Sequence, residues 1–298
     1  MPDAIREETT GTAPSESYVI VRHAIDDKDL DVEAERQLGV LDQLWSSGAF
    51  RKSLIIVLLA ALWELYARHL NNPLLLPSLS ETLVAGEQAI RDGTLLVRTW
   101  SSLKILLLGY SIGIALAAVL SVLAITTRIG SDLLETATAM FNPLPAIALL
   151  PLALIWFGLG PASIVFVLVH SVLWAVALNT HSGFLGVSEI LRMVGQNYGL
   201  KGLRYIARIY VPAAFASILT GLKIGWAFAW RTLIAAELVF GVSSGQGGLG
   251  WFIFERRNTL DIAGVFCGLL TVIIIGLIVE NLIFRTVERL TVKRWGMQ

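Results

Sequence analysis

The sequence predicts an all-α integral membrane protein of six transmembrane helices, with a short cytoplasmic helix between spans 4 and 5. Three observations predict it. The mean hydropathy of the 298 residues is +0.69, with 55% hydrophobic and only 15% charged positions, far less charge than a soluble domain of this length carries. From Thr136 to Ser188 there is no Asp, Glu, Lys or Arg. One helix crosses the hydrocarbon core in about 20 residues, so this run is too long for one span and suits two. Finally, the apolar runs are continuous rather than alternating, which selects helices over a barrel, since backbone amides in lipid must be satisfied internally.

Residues 1–49 form an acidic cytoplasmic extension. Positions 1–48 hold eleven acids and four bases of the 23 of each sign, leaving nineteen bases against twelve acids in the rest, a net +7. No cleavable signal is visible in the polar first fifty residues. Residues 1–20 read as disordered. Residues 25–45 could form an amphipathic helix with Leu30, Val32, Leu38, Leu41 and Leu44 as its apolar face. The membrane part, 50–298, then opens with a span over about Phe50 to Ala67, where Glu64 and Arg68 are spaced to pair across one turn. A turn-rich loop, "NNPLLLPSLS", leads to a short amphipathic stretch from Glu81 to Ile90. The second span covers about Ser102 to Thr126, the third Leu133 to Phe157, and the fourth Ala162 to Leu185, the last two separated by "GLGP". The fifth covers about Ala213 to Val239 and the sixth Ile262 to Phe284, with a glycine-rich loop at 241–250 between them and a basic tail after.

Lysine and arginine in the short loops orient the chain. Arg51, Lys52, Arg128, Arg192, Lys201, Arg204, Arg208, Arg285, Arg289, Lys293 and Arg294 fall on one side. Arg68, Arg91, Arg98, Lys104, Arg256 and Arg257 fall on the other. The excess places both termini, and the segment 186–211, in the cytoplasm.

Within that segment, "GLKGLRYIARIYVPAA" sets Lys201, Arg204 and Arg208 on one helical face and Leu203, Ile206 and Tyr210 on the opposite one. The helix can lie flat with its basic face outward; a loop that only fixes topology is the other reading. Gly199 and Gly202 suit a tight turn before the helix, and Pro212 suits the start of the next one. The stretch from Tyr198 to Gly225 resembles the cytoplasmic loop of inner-membrane permeases of ABC importers. That loop runs Glu-Ala-Ala, three residues, Gly, about nine more, then an apolar residue and Pro. Gly199 and Pro212 fall on the family glycine and proline, while Met193, Val194 and Gly195 depart from Glu-Ala-Ala. "FNPLPAIALLPLALIWFGLGP" and "AAELVFGVSSGQGGLGWFI" are similar to the third span and the loop after the fifth in the branch that imports nitrate, sulfonates and taurine. The resemblance extends from about Leu103 to Trp295.

It implies a transmembrane subunit moving a small anion by alternating access: nitrate, bicarbonate, a sulfonate or taurine, or an organic carboxylate. It also implies that Gly199, Lys201, Gly202, Leu203, Arg204, Arg208 and Pro212 form a coupling helix docking on a cytoplasmic ABC ATPase. Further implied partners are a periplasmic or lipid-anchored substrate-binding protein and a second permease copy; no nucleic acid is expected. ATP and Mg belong to the ATPase, since no GxxxxGK[ST] occurs in this chain, and no cofactor or covalent chemistry is expected here.

Other constellations carry two readings each. Asn142, Pro143, Pro145 and Pro151 interrupt an apolar span, either lining a pathway or kinking it for packing. Arg231 and Glu237 sit within the fifth span, where a central charge costs about 2.5–3.5 kcal/mol. They are six apart, so each needs its own partner, and Arg231 faces either an anionic substrate or a group on another helix. Lys223 snorkels. His170 and Trp174 share a face, as hydrogen-bonded structure or as substrate contacts. His170 and His181 lack a third ligand, so no metal site is expected. Cys267 reads as a small buried hydrophobe. "GQGGLG", Gly245 to Gly250, matches GxGxxG but follows a span, not a strand, so it reads as an outer loop. Gly109/Gly113 and Gly221/Gly225 permit close helix approach, within the chain or between copies. Two rival functions stand beside the permease: a self-contained secondary transporter, which would need internal repeats, and an intramembrane enzyme, which would need a catalytic constellation.

Overall fold

The computed structural model describes Trp45, residues 47–240 and residues 247–292. The expected helix over 25–45, the disorder of 1–20, Gly245, Gln246, Lys293 and Arg294 lie outside the described residues. The chain divides into two units, Met1–Ile56 and Val57–Gln298. In the first, Arg51 Nη1 donates to Trp45 O at 2.7 Å.

The described residues are mainly helical, without strands. The helices are α1 Gly48–Leu70, α2 Leu79–Arg91, α3 Thr94–Thr126, α4 Arg128–Phe141, α5 Leu150–Phe157, α6 Pro161–Leu185 and α7 Glu189–Asn197. They continue with α8 Gly202–Ala213, α9 Phe215–Phe240, α10 Leu249–Asn258 and α11 Ile262–Leu290. Four are each long and apolar enough to cross a membrane: Phe50–Leu70 within α1, then α3, α6 and α11. Two bent pairs, α4 with Ala146–Phe157 at 88° and α8 with α9 at 79°, bring the count to six if each pair is one span.

The expected third span, Leu133 to Phe157, is broken at the first two of the prolines the sequence singles out. Pro143 and Pro145 supply no backbone donor, α4 stops at Phe141, and the chain restarts as a 3₁₀ turn at Ala146–Leu149. Pro151 is no interruption. It sits in the first turn of α5, where its missing N–H would have been unpaired anyway.

α6 is the hub. A Cβ on Gly109 would lie 2.7 Å from Leu168 Cβ, and one on Gly113 would lie 2.7 Å from Val172 Cβ, so α3 packs backbone-close on α6. On α9, a Cβ at Gly221 would lie 2.8 Å from Asn179 Cβ, and one at Gly225 would lie 3.1 Å from Val176 Cγ2. Both GxxxG pairs thus make contacts inside one chain. Ala117, Ser121, Ala177 and Ala229 extend the small-residue seams.

α2 begins with a capping box: Glu81 N donates to Ser78 Oγ at 3.2 Å and Ser78 N to Glu81 Oε2 at 2.8 Å. It is tied to α1, where Glu64 accepts from Ser80 N and Oγ and from Arg68, as its spacing predicts. Cys267 is buried and free, with its sulfur 3.2 Å from where a Cβ on Gly86 would stand.

Candidate functional site

Three features stand out: the basic helix α8, a cavity at the α4–α5 break, and a buried carboxylate under the glycine turn before α10.

α7 ends at Asn197, and the chain turns through Gly199 and Gly202, whose φ values of 69° and 57° only glycine adopts without strain. Leu200 N donates to Gly195 O at 3.1 Å, closing the end of α7. α8 then runs over Gly202–Tyr205, a π turn at Ile206–Tyr210, and Val211–Ala213, with Pro212 in a first turn. Lys201, Arg204 and Arg208 are exposed; Ile206 and Tyr210 are buried. Leu203 departs from its expected place on the apolar face. It is 71% exposed, and the inward positions are Tyr205, Ile206, Ile209 and Tyr210, packed with Phe184, Val187, Val122 and Ile125. The π turn explains the shift, since its wider winding realigns the residues before and after it.

An aromatic knot fixes this helix. Tyr210 meets Phe184 edge-on at 5.5 Å and Tyr205 at 5.3 Å. The Arg192 guanidinium lies 5.7 Å from the Tyr210 ring centre and donates to Leu185 O at 3.0 Å, while Tyr205 Oη donates to Arg192 O at 3.1 Å. A Cβ on Gly195 would stand 2.5 Å from Tyr205 Cε2. The departure from Glu-Ala-Ala at this position therefore makes room for the tyrosine ring.

The cavity, about 390 Å³, is lined by Asn142 to Ile147, His170, Ser171, Trp174, Phe228, Arg231, Thr232 and Ala235. Six residues singled out in the sequence meet there: Asn142, Pro143, Pro145, His170, Trp174 and Arg231. Pro151 and Glu237 do not line it. Arg231 Nε donates to Ala227 O of its own helix at 3.1 Å, and its guanidinium lies 5.1 Å from the Phe228 ring centre. No described residue of another helix pairs with it. Both ring nitrogens of His170 and the Trp174 indole nitrogen are buried with no hydrogen-bond partner among the described residues. Phe141 stacks on Trp174 at 5.4 Å and 14°.

Glu237 is held elsewhere. Its carboxylate accepts from Ser102 Oγ at 2.7 and 2.8 Å and from Gly250 N at 2.8 Å, while Leu249 N donates to Ser102 Oγ at 2.7 Å. A Cβ on Gly248 would collide with that carboxylate. The glycines after 246 thus wrap a buried acid. Nearby, Arg98 pairs with Glu255 at 3.3 Å. Lys223, expected to snorkel, instead pairs with Glu288 at 2.6 Å.

The sequence reading missed Phe228, Ser171, Thr232 and Ala235. Phe228 and Ala235 stand three before and four after Arg231, so the helical period from that charge could have found them. Ser102 lies 135 residues from Glu237 and carried no local signal.

A bundle of apolar helices with a broken span, a cavity lined in part by Arg231 and an exposed basic helix between spans defines the class: a multi-span membrane permease. The family described as binding-protein-dependent transport system inner membrane component matches residues 109–295. A Methanocaldococcus jannaschii protein provisionally named an ABC transporter permease is 32% identical over 75% of this chain and 84% of its own length. The taurine transport system permease protein of Escherichia coli is 29% identical over 76% and 82%, and the nitrate import permease protein of Synechocystis is 26% identical over 83% and 91%. The chain belongs to the inner membrane components of binding-protein-dependent transport systems, as an ABC permease subunit and thus a transport component.

Proposed function

We propose that this chain is the transmembrane subunit of an ATP-driven importer that moves a small anion by alternating access. Nitrate, bicarbonate, sulfonate or taurine, and organic carboxylates are the classes considered. Residues 50–298 form the permease domain, residues 1–49 an acidic extension, and both termini lie in the cytoplasm by the excess of Lys and Arg on that side. A periplasmic or lipid-anchored binding protein delivers the anion. Two ATPase subunits, which bind the ATP and Mg, dock on α8 of two permease copies.

The observation that carries this reading is the two-sidedness of α8. Its apolar flank is locked onto the ends of α3 and α6 by Ile206, Tyr210 and their neighbours, while Lys201, Arg204 and Arg208 are exposed. A rigid helix so anchored passes a displacement to the spans as a body. Gly199 and Gly202 shape its start, Leu203 adds an exposed apolar contact, and Pro212 leads into α9. The cavity at Arg231 is the proposed pathway segment.

The test is co-purification followed by reconstitution. The tagged chain is expected to bring down an ABC ATPase and to support ATP-dependent anion uptake in vesicles. Arg204→Glu with Arg208→Glu is expected to abolish both, leaving the unfolding temperature of the isolated chain within a few degrees, because both side chains are exposed. Uptake by the purified chain without any ATPase would establish the secondary transporter instead.

A further inference from the structure

The cavity's chemistry narrows the anion. Arg231 has one guanidinium nitrogen committed to Ala227 O and its guanidinium carbon 5.1 Å from the Phe228 ring centre. Its two terminal nitrogens have no partner among the described residues. They form a fork matched to two oxygens of a carboxylate or sulfonate. His170 and Trp174 add buried, unpartnered nitrogens. Those nitrogens are sealed from solvent, so the two rings line the cavity with carbon.

The remaining lining, Pro143 to Ile147 with the faces of Trp174 and Phe228, is mainly apolar. A space of about 390 Å³ would hold roughly a dozen waters at about 30 Å³ each. It falls within the roughly 300–1,000 Å³ typical of pockets for organic ligands. A four-atom inorganic oxoanion would leave most of it filled with water against proline and aromatic carbon.

We infer that the cavity takes an organic oxoanion, a sulfonate or carboxylate with an apolar body, in preference to a bare inorganic anion. The head group sits on the Arg231 fork. The body lies against the Trp174 face, which Phe141 stacks from behind, and the Pro143–Pro145 turn. This rests on the cavity being the pathway, as proposed above, and adds what that pathway prefers.

The experiment uses the full-length chain in lipid nanodiscs with benzenesulfonate as probe, read by saturation-transfer NMR. Saturation is expected on the ring protons. Nitrate at equal concentration is expected to leave the signal largely intact, and uncharged benzenesulfonamide to give little. Arg231→Gln is expected to weaken binding about tenfold or more, the size of one lost charge-assisted hydrogen-bond pair. No saturation transfer, equal displacement by nitrate, or equal binding of the sulfonamide would overturn the inference, and the last two need no variant that must fold. Such a failure is separate from that of the transport reading, which ATP-dependent uptake by the assembled complex tests independently.

Discussion

Glu237 is 1% exposed, yet no cation among the described residues pairs with it; its oxygens are occupied by Ser102 Oγ and Gly250 N. Ser102 Oγ in turn accepts a hydrogen bond from Leu249 N, so one hydroxyl links α3, α9 and the start of α10. The network makes the acid a staple rather than a substrate group. Glu237→Ala would leave two buried donors without an acceptor, and a loss of about 2–4 kcal/mol is expected, measured as thermal unfolding in detergent. Ser102→Ala should cost somewhat less. Because the two side chains share one network, the double variant should cost clearly less than the two losses added together. Strict additivity would show that they act separately. That Glu237 needed a partner was legible in the sequence, from the penalty for a charge within a span. Which partner was not, because the hydrogen bond joins positions 102 and 237 and nothing in local spacing encodes it. For Arg231 the reverse held: the sequence left open a partner on another helix, and the bundle offers none among the described residues.

At the scale of elements, the placement of helices was readable wherever a span is long and apolar, as in α3, α6 and α11. The break in the third span was readable as a tendency, since Pro143 and Pro145 cannot donate, but its 88° angle was not. The apolar face of α8 was misassigned at Leu203, because a face drawn with 3.6 residues per turn cannot foresee the π turn at Ile206–Tyr210. The glycine seams give a graded prediction. At Gly113 an added methyl would stand 2.7 Å from Val172 Cβ, an atom fixed to the backbone. At Gly225 it would meet a terminal methyl, Val176 Cγ2, at 3.1 Å, which a rotamer change can relieve. Gly113→Ala is therefore expected to destabilise by about 1–3 kcal/mol through overpacking, and Gly225→Ala by distinctly less. Unfolding temperatures of the two purified variants decide the order, and the reverse order would mean that α9, not α3, is the more rigidly seated neighbour of α6.

On the scale of the whole molecule, the basic helix and the cavity share supports. α8 is separated from α9 by the single residue Ala214, and its inner face packs on Phe184 near the end of α6. Arg231 lies sixteen residues along α9 from Phe215, about 24 Å at 1.5 Å per residue. His170 and Trp174 stand on α6. A displacement of α8 thus reaches the cavity along two continuous helices, without an intervening loop. Docking and transmission should then be separable. Charge reversal at Arg204 and Arg208 removes the grip but not the lever. Tyr210→Ala removes the ring that meets Phe184, Tyr205 and Arg192, a loss on the order of 3 kcal/mol for an aromatic truncation, and loosens the lever while the three cations remain. In the reconstituted complex, Tyr210→Ala is expected to retain the ATPase and hydrolyse ATP while anion uptake falls, so that more ATP is spent per anion. Tyr210→Phe keeps the ring and should restore the wild-type ratio. If Tyr210→Ala lost hydrolysis and uptake in equal proportion, the ratio would stay fixed. α8 would then be only a docking surface, and the force would have to enter the bundle by another route.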